Sequence, residues 1–184
     1  MKTNTIRVIA GKYKNRRLKF PSIEGLRPTS DQLKETIFNW LAPYIHGSTC
    51  IDAFAGSGSL GIESLSRGAT KAIFYELNAK AINYIKENLQ LLGIPNCEIY
   101  KKDCIKALAS IKVINSEMII FLDPPFNKNL ANPCLQAIIN NTNIPSGTII
   151  YIETEKPAEL DLTSYEVLKE KSTSTILAKL ITKT

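Results

Sequence analysis

The chain has 184 residues, with 23 basic against 17 acidic side chains and a net charge of +6, which is the size of one domain burying about 70% of its unfolded surface and leaves no room for an appended substrate domain. No apolar run approaches the roughly 20 residues needed to span a bilayer, so a soluble protein with no membrane partner is expected. Four scattered cysteines (Cys50, Cys97, Cys104, Cys134) without C-x-x-C spacing, and one histidine, His46 beside Gly47, speak against a metal site and for reduced thiols in a cytoplasm.

From Met1 to Phe20 there are seven basic residues, Lys2, Arg7, Lys12, Lys14, Arg16, Arg17 and Lys19, and no acid. Ile6, Val8, Leu18 and Phe20 alternate with polar positions, which predicts two short strands around Gly11-Lys12-Tyr13-Lys14-Asn15. Such an arm is an electrostatic footprint for a polyanion, with a merely solvated basic face as the alternative. After the loop Pro21 to Ser30, helical spacing of Leu33, Ile37, Trp40 and Leu41 predicts a helix from Asp31 to Leu41, capped by Thr29 or Ser30. Strands and helices then alternate: strand Thr49–Ala53 and helix Gly58–Arg67, strand Lys71–Tyr75 and helix Asn78–Leu92. Strand Glu98–Lys101 with helix Cys104–Ile111, and strand Met118–Leu122 with helix Leu130–Asn141, continue the series. A fifth strand, Thr148–Ile152, precedes two more, Tyr165–Lys169 and Thr175–Ile181, expected as an antiparallel hairpin at the sheet edge. This order specifies an α/β fold, a mostly parallel seven-stranded sheet with helices on both faces and an N-terminal β-hairpin extension. It is one domain over 1–184, with the hairpin and loop in 1–30 and the core in 31–184. Ligands in such sheets bind at the carboxyl ends of the strands, where the order reverses.

Two motifs fall at those ends. Cys50-Ile51-Asp52-Ala53-Phe54-Ala55-Gly56-Ser57-Gly58-Ser59-Leu60-Gly61 runs from a strand into three glycines and a helix N-terminus, which suits the cradling of a nucleotide-like cofactor. Glu76, twenty residues after Gly56, is spaced to bind ribose hydroxyls. NAD-binding and S-adenosyl-L-methionine-binding folds share that pattern, and glycines that only let helix pack on strand would share it too. Asp123-Pro124-Pro125-Phe126 follows the apolar run Met118 to Leu122. A carboxylate that accepts one N–H, a carbonyl held by prolines that fix φ and donate nothing, and a ring for stacking suit an amine on a flat base. The bland alternative is a strand, a proline turn and a core phenylalanine.

The series Asp52 to Gly58, Tyr75-Glu76-Leu77-Asn78, Asp103-Cys104 and Asp123 to Phe126 resembles the ordered motifs of S-adenosylmethionine-dependent amino-methyltransferases of Rossmann-like fold. Arg7-Val8-Ile9-Ala10-Gly11-Lys12-Tyr13, Leu26-Arg27-Pro28-Thr29-Ser30-Asp31 and Glu35 to Leu41 narrow it, because they resemble the bacterial 16S rRNA guanine-N2 methyltransferases of the RsmD family. The resemblance implies cofactor contacts from Asp52, Phe54, Gly56, Gly58, Glu76, Leu77, Asp103 and Cys104, although Asp52 and Asp103 also suit helix capping. It implies that Asp123, Pro124, Pro125 and Phe126 capture the guanine and that Arg7, Lys12, Lys14, Arg16, Arg17 and Arg27 meet substrate. Arg27 could equally meet the cofactor carboxylate. The implied partner is 16S rRNA, already carrying ribosomal proteins in a small subunit or assembly intermediate, with the enzyme a monomer. An amino-methyltransferase on DNA adenine N6 or protein glutamine N5 is the alternative. An NAD-dependent dehydrogenase lacks a proton donor paired with a substrate domain, and a non-catalytic RNA-binding factor has no need of both Gly56 and Asp123.

Overall fold

The computed structural model describes residues 3–22, 29–112 and 117–184. Nine strands and five helices occupy these residues. The chain opens with β1 (Thr3–Arg7) and β2 (Arg17–Pro21), followed by α1 (Asp31–Ile45), β3 (Thr49–Asp52), α2 (Ser59–Ser66), β4 (Lys71–Glu76) and α3 (Ala79–Leu92). Then come β5 (Cys97–Lys101), α4 (Cys104–Leu108), β6 (Met118–Leu122), α5 (Ala131–Asn140), β7 (Ile149–Glu155), β8 (Tyr165–Ser172) and β9 (Ile176–Lys183). Seven strands form one sheet in the order β5-β4-β3-β6-β7-β9-β8. All pairings from β5 to β7 are parallel, and β9 returns antiparallel to both β7 and β8. The order reverses between β3 and β6.

Both faces of the sheet are covered, which is why its inner strands read as unbroken apolar runs rather than alternating ones. On one face Ile51, Ile73, Ile120, Leu122, Ile150 and Ile152 pack against Leu108 of α4 and Leu135 and Ile138 of α5. On the other, Cys50, Ile119, Phe121 and Tyr151 meet Ile37, Phe38 and Leu41 of α1, and Phe74 lies among Ile62, Ile85 and Leu89 of α2 and α3. Each fully buried side chain of this kind contributes roughly 1.5–3 kcal/mol. Gly61 is required by that packing, because a Cβ there would lie 2.3 Å from the Phe74 ring.

Elements depart from sequence expectation at their ends. Helix α1 continues past Leu41 and through Pro43 to bury Ile45, one turn further along its apolar stripe; Pro43 lacks the N–H that would bond the Asn39 carbonyl, and both residues lie on the exposed side of the helix. Helix α4 stops at Leu108 instead of Ile111, where the Ser110 hydroxyl turns back onto the Lys106 and Ala107 carbonyls. Strand β7 also runs on, three residues beyond Ile152. Glu153, Thr154 and Glu155 are polar, yet β9 pairs with all three.

The N-terminal hairpin is docked, not a loose arm. Val8, Leu18 and Phe20 are buried in the same cluster as α2 and α3. Glu63, fully buried on α2, accepts the backbone N–H groups of Ile9 (2.8 Å) and Ala10 (3.0 Å) and is paired with Arg67 at 2.8 Å. Lys34 of α1 donates to the Arg7 carbonyl at 2.6 Å, and its burial holds the ammonium below its ordinary pKa. Asn88 of α3 both accepts from and donates to the Lys19 backbone. Gly11, at φ +81°, lies so close to α2 that a Cβ would fall 1.8 Å from the Ser66 carbonyl.

Candidate active site

The alternation of the parallel strands sends four acids to one edge of one face. Cys50, Phe74, Phe121 and Tyr151 pack on the side of α1, α2 and α3, so the side chains two positions on, Asp52, Glu76, Asp123 and Glu153, leave on that same side at the carboxyl ends. They line a cleft of about 730 Å³ together with Phe54, Gly56, Leu77, Asp103, Cys104, Pro124, Pro125 and Phe126. That size lies within the roughly 300–1,000 Å³ of small-molecule sites.

At the β3–β4 end, the carboxylates are held by backbone amides. Glu76 Oε2 accepts Gly56 N–H at 2.8 Å, while Oε1 accepts Leu77 N–H and Asn78 N–H, also at 2.8 Å. One acid thereby fixes the glycine turn and the strand end on which it sits. Asp52 is 2% exposed and accepts Gly61 N–H at 3.2 Å. It satisfies the first turn of α2, whose N-cap, Gly58, has no side chain to do so. Burial pushes the Asp52 carboxyl up to about 7, a shift opposed by the Gly61 N–H and reinforced by the Glu76 charge. Asp103 is the N-cap of α4, its Oδ1 accepting Lys106 N–H at 3.0 Å. Asp52 and Asp103 therefore do cap helices, as their alternative reading has it, while also lining the cleft. Leu77, a large apolar side chain left 59% exposed at the rim, offers a face to a flat ring.

Gly58 stands between two cleft-lining residues, Ser57 and Ser59. It is not among the cleft-lining residues; at φ +74° it turns the chain into α2, and a Cβ there would press on Ile85 at 3.1 Å. Its glycine serves conformation and packing, whereas Gly56, at φ +50°, meets the cleft. Cys104 is buried, with its sulfur 3.8 Å from that of Cys134. His46 lies exposed at the end of α1, outside the cleft.

At the β6–β7 end, Asp123 and Phe126 are half-buried at the mouth of β6. The turn is tied from β7, where Glu155 Oε1 accepts Asn127 N–H at 2.6 Å and Asn127 takes φ +61°. Glu153 is 5% exposed and accepts the Tyr151 hydroxyl at 2.8 Å. Burial, then the Glu153 and Asp123 charges, raise the Tyr151 pKa, so the phenol stays a donor. Neither glutamate was singled out from the sequence. The signal was the period-two spacing of Tyr151, Glu153 and Glu155, with the acids lying past the apolar run that marked the strand. Ser30, the observed N-cap of α1 with its hydroxyl accepting Leu33 N–H at 3.2 Å, joins Thr29 and Leu33 on the cleft wall.

Thr29 and Ser30 also border a second, shallower groove with Thr5, Arg7, Arg17 and Asp31. Arg7 and Arg17 face each other across the hairpin, like charges whose direct opposition is unfavourable without a counterion. Arg7 pairs with Asp31 at 3.1 Å, and among the described residues no ion pair takes up Arg17. Lys12, Lys14 and Arg16 are exposed, with the Lys12 ammonium over the Tyr13 ring. Arg7 and Arg17 thus border the Thr29–Ser30 wall of the cleft, whereas Lys12, Lys14 and Arg16 lie on or beside the hairpin turn, which packs on Ser66 at the C-terminal end of α2. Arg27 lies outside the described residues.

The family described as Conserved hypothetical protein 95 matches residues 6–181. The "Ribosomal RNA small subunit methyltransferase D" of Haemophilus influenzae is 42% identical over 178 residues, covering 95% of this chain and 92% of that protein. Among solved structures, a putative methyltransferase, yhhF, from Escherichia coli superposes with a TM-score of 0.86 at 33% identity, over 98% of each chain. A putative methylase from Haemophilus influenzae gives 0.82 at 38% identity, over 98% of this chain and 99% of that one.

Proposed function

The chain belongs to the Conserved hypothetical protein 95 family, the RsmD methyltransferases, and on that premise we propose that it methylates the exocyclic N2 amine of a guanine in 16S rRNA during small-subunit assembly. Membership makes it an rRNA methyltransferase that depends on S-adenosyl-L-methionine. The guanine, its N2 atom and the assembling particle as substrate are the finer reading. The observation that carries it is the placement of Asp123-Pro124-Pro125-Phe126 at the mouth of β6, in one cleft with the Gly56 turn and Glu76.

The cleft fits the cofactor. A buried acid, Asp52, suits a ligand bearing a positive sulfonium. The Glu76 oxygens accept three N–H groups between them, and a carboxylate has about four lone-pair sites, so a ribose hydroxyl can still be accepted. Leu77 and Cys104 would flank the adenine, with Asp103 at its amine and Phe54 and Gly56 along the remainder. When bound, the cofactor supplies an electrophilic methyl carbon. The protein's part is to capture and align the acceptor. Asp123 and the Pro124 carbonyl each accept one N–H of the guanine amine, directing its nitrogen at the methyl group. Pro125 stiffens the turn, Phe126 stacks on the base, and Glu155 keeps the turn from swinging out. Methylation would leave an extra proton on the amine nitrogen, for which Asp123 is the adjacent acceptor. A stacked base in a duplex cannot reach this depth, so the target enters flipped or single-stranded. The platform of Arg7, Lys12, Lys14, Arg16 and Arg17 holds the flanking phosphates.

Tritiated methyl transfer from the cofactor tests this, with free rRNA, protein-bound particles and whole small subunits as acceptors, followed by nucleoside analysis. Label in N2-methylguanosine, strongest with protein-bound particles, is expected. Label in a nucleoside other than N2-methylguanosine, or in glutamine of the ribosomal proteins, overturns the reading.

A further inference from the structure

The cleft has Asp52, Glu76 and Asp103 among the acids on its walls, so the phosphates of an RNA strand that delivers a base to it are repelled from the interior and pass over the mouth. Two lysines line the cleft among the described residues, Lys102 and Lys128. Lys102, just past β5, is engaged, donating to the Ser110 hydroxyl at 2.7 Å. Lys128 is exposed, and among the described residues no hydrogen bond or ion pair takes up its ammonium. It follows Phe126 on the loop that leads from β6 to α5, between Asn127 and Asn129, which both take left-handed backbone at φ +61° and +50°. Glu155 anchors this loop by accepting Asn127 N–H at 2.6 Å, so the lysine is presented from a fixed point.

The hairpin cations stand on the opposite side of the mouth. Helix α1 packs on the face of the sheet that carries Phe121 and Tyr151, and Thr29 and Ser30, at its N-terminus, line both the cleft and the groove of Arg7 and Arg17. Helix α5 packs on the reverse face, against Ile120 and Ile150, and Lys128 belongs to the loop that crosses to that side. A strand whose nucleotide turns down into the cleft has one phosphate on each side of it. We propose that the RNA crosses the mouth from the Arg7–Arg17 groove to Lys128, and that Lys128 holds the phosphate on the α5 side of the flipped nucleotide. This rests on the rRNA reading above and adds to it a substrate-binding residue and the course of the strand. The cofactor carboxylate is the competing anion, but the cofactor end of the cleft is built by the Gly56 turn and Glu76, whereas Lys128 extends the turn that captures the base.

The methylated nucleotide is first mapped by nuclease digestion and mass spectrometry, and methyl transfer to small-subunit particles is then measured at increasing salt. Lys128→Ala should raise the KM for the particle by up to about fivefold, the scale of one exposed charge pair. It should also flatten the dependence of log kcat/KM on log salt by about 0.7, the loss of one single-strand phosphate contact. Turnover at saturating particle and calorimetric cofactor affinity should stay at wild type, and Lys128→Arg should keep the slope. Particles assembled with an uncharged methylphosphonate linkage on the 5′ or the 3′ side of the target locate the contact: one linkage should abolish the Lys128→Ala penalty, and the other the penalty of Arg17→Ala. A wild-type salt slope in Lys128→Ala, a penalty that survives both linkages, or both penalties vanishing with the same one overturns the proposal. So does lost cofactor affinity, which would give Lys128 to the cofactor carboxylate. No label in rRNA from the wild-type enzyme would fail the functional reading itself, before any variant is compared.

Discussion

The two ends of the cleft are both acidic, and they are acidic in different ways. At the β3–β4 end, Asp52 and Asp103 accept backbone N–H groups of the helix that follows them, and Glu76 accepts those of its own strand end and of the neighbouring Gly56 turn, so each acid stabilises backbone around the cofactor end of the cleft. At the β6–β7 end, Asp123 and Glu153 come from strands about thirty residues apart, and Glu153 is held by a phenol. Acids of the first kind cannot be removed without loosening the turn, which ties ligand affinity to stability. Those of the second kind come together only through the pairing of β6 with β7, and the loss of Asp123 should register in turnover.

The largest expected effect tests that division directly. Asp123→Ala should lower turnover by about 10²–10⁴-fold, the range for a positioned proton acceptor, and leave calorimetric cofactor affinity nearly intact. Near wild-type turnover would make Asp123 structural and erase the difference between the ends. Glu76→Ala should instead weaken cofactor binding by roughly 1.5–3 kcal/mol through the lost charge-assisted bonds, and lower the melting temperature because Gly56, Leu77 and Asn78 lose their acceptor. Cofactor affinity unchanged in this variant would reduce Glu76 to a turn anchor. At the other end, Phe126→Ala should weaken capture of the base by about 1–3 kcal/mol, read as a rise in KM for RNA with cofactor affinity unaltered.

A subtler contrast lies in pH. Asp52 titrates at about 7 in the folded chain because it is buried, whereas the unfolded chain loses that proton in the ordinary carboxylate range. Between those values the folded state binds more protons, so this group makes stability fall as pH rises toward 7 and has no further effect above it. The cationic cofactor favours the ionised form, so affinity should rise with pH in the same window, by at most about tenfold per unit. Asp52→Asn should flatten both profiles in thermal melts and titration calorimetry; profiles that keep their wild-type slope would place the titration elsewhere.

The smallest effect belongs to neither end. Neutralising Lys14, Arg16 and Arg17 together should reduce RNA affinity and flatten the dependence of log K on log salt by about 0.7–0.9 per lost phosphate contact, without touching cofactor affinity. A wild-type salt slope would leave the platform a solvated face and favour a protein acceptor.

Much of this protein is written locally. Glycine at Gly56, the prolines after Asp123, the Ser30 cap and the two hydrophobic periods act within a few residues, so the strands, most helices and the β3–β4 half of the site follow from the sequence alone. A helix-capping role for Asp52 and Asp103 was legible for the same reason. Tertiary structure decided the rest, because the cause lay far along the chain. Glu153 and Glu155 read as the polar end of a finished strand; they are strand because β9 returns antiparallel and supplies the ladder. Gly58 matches a cofactor motif, and only its contact with Ile85 on another helix shows that it serves packing. The basic arm reads as a hairpin from its own alternation, but its docking does not, because Glu63, Ser66 and Asn88, over forty residues away, accept or donate its backbone hydrogen bonds. Hydrogen-bond partners brought together by the sheet order leave no local periodicity, and for that reason the second acid of the β6–β7 end waits for the fold to be seen.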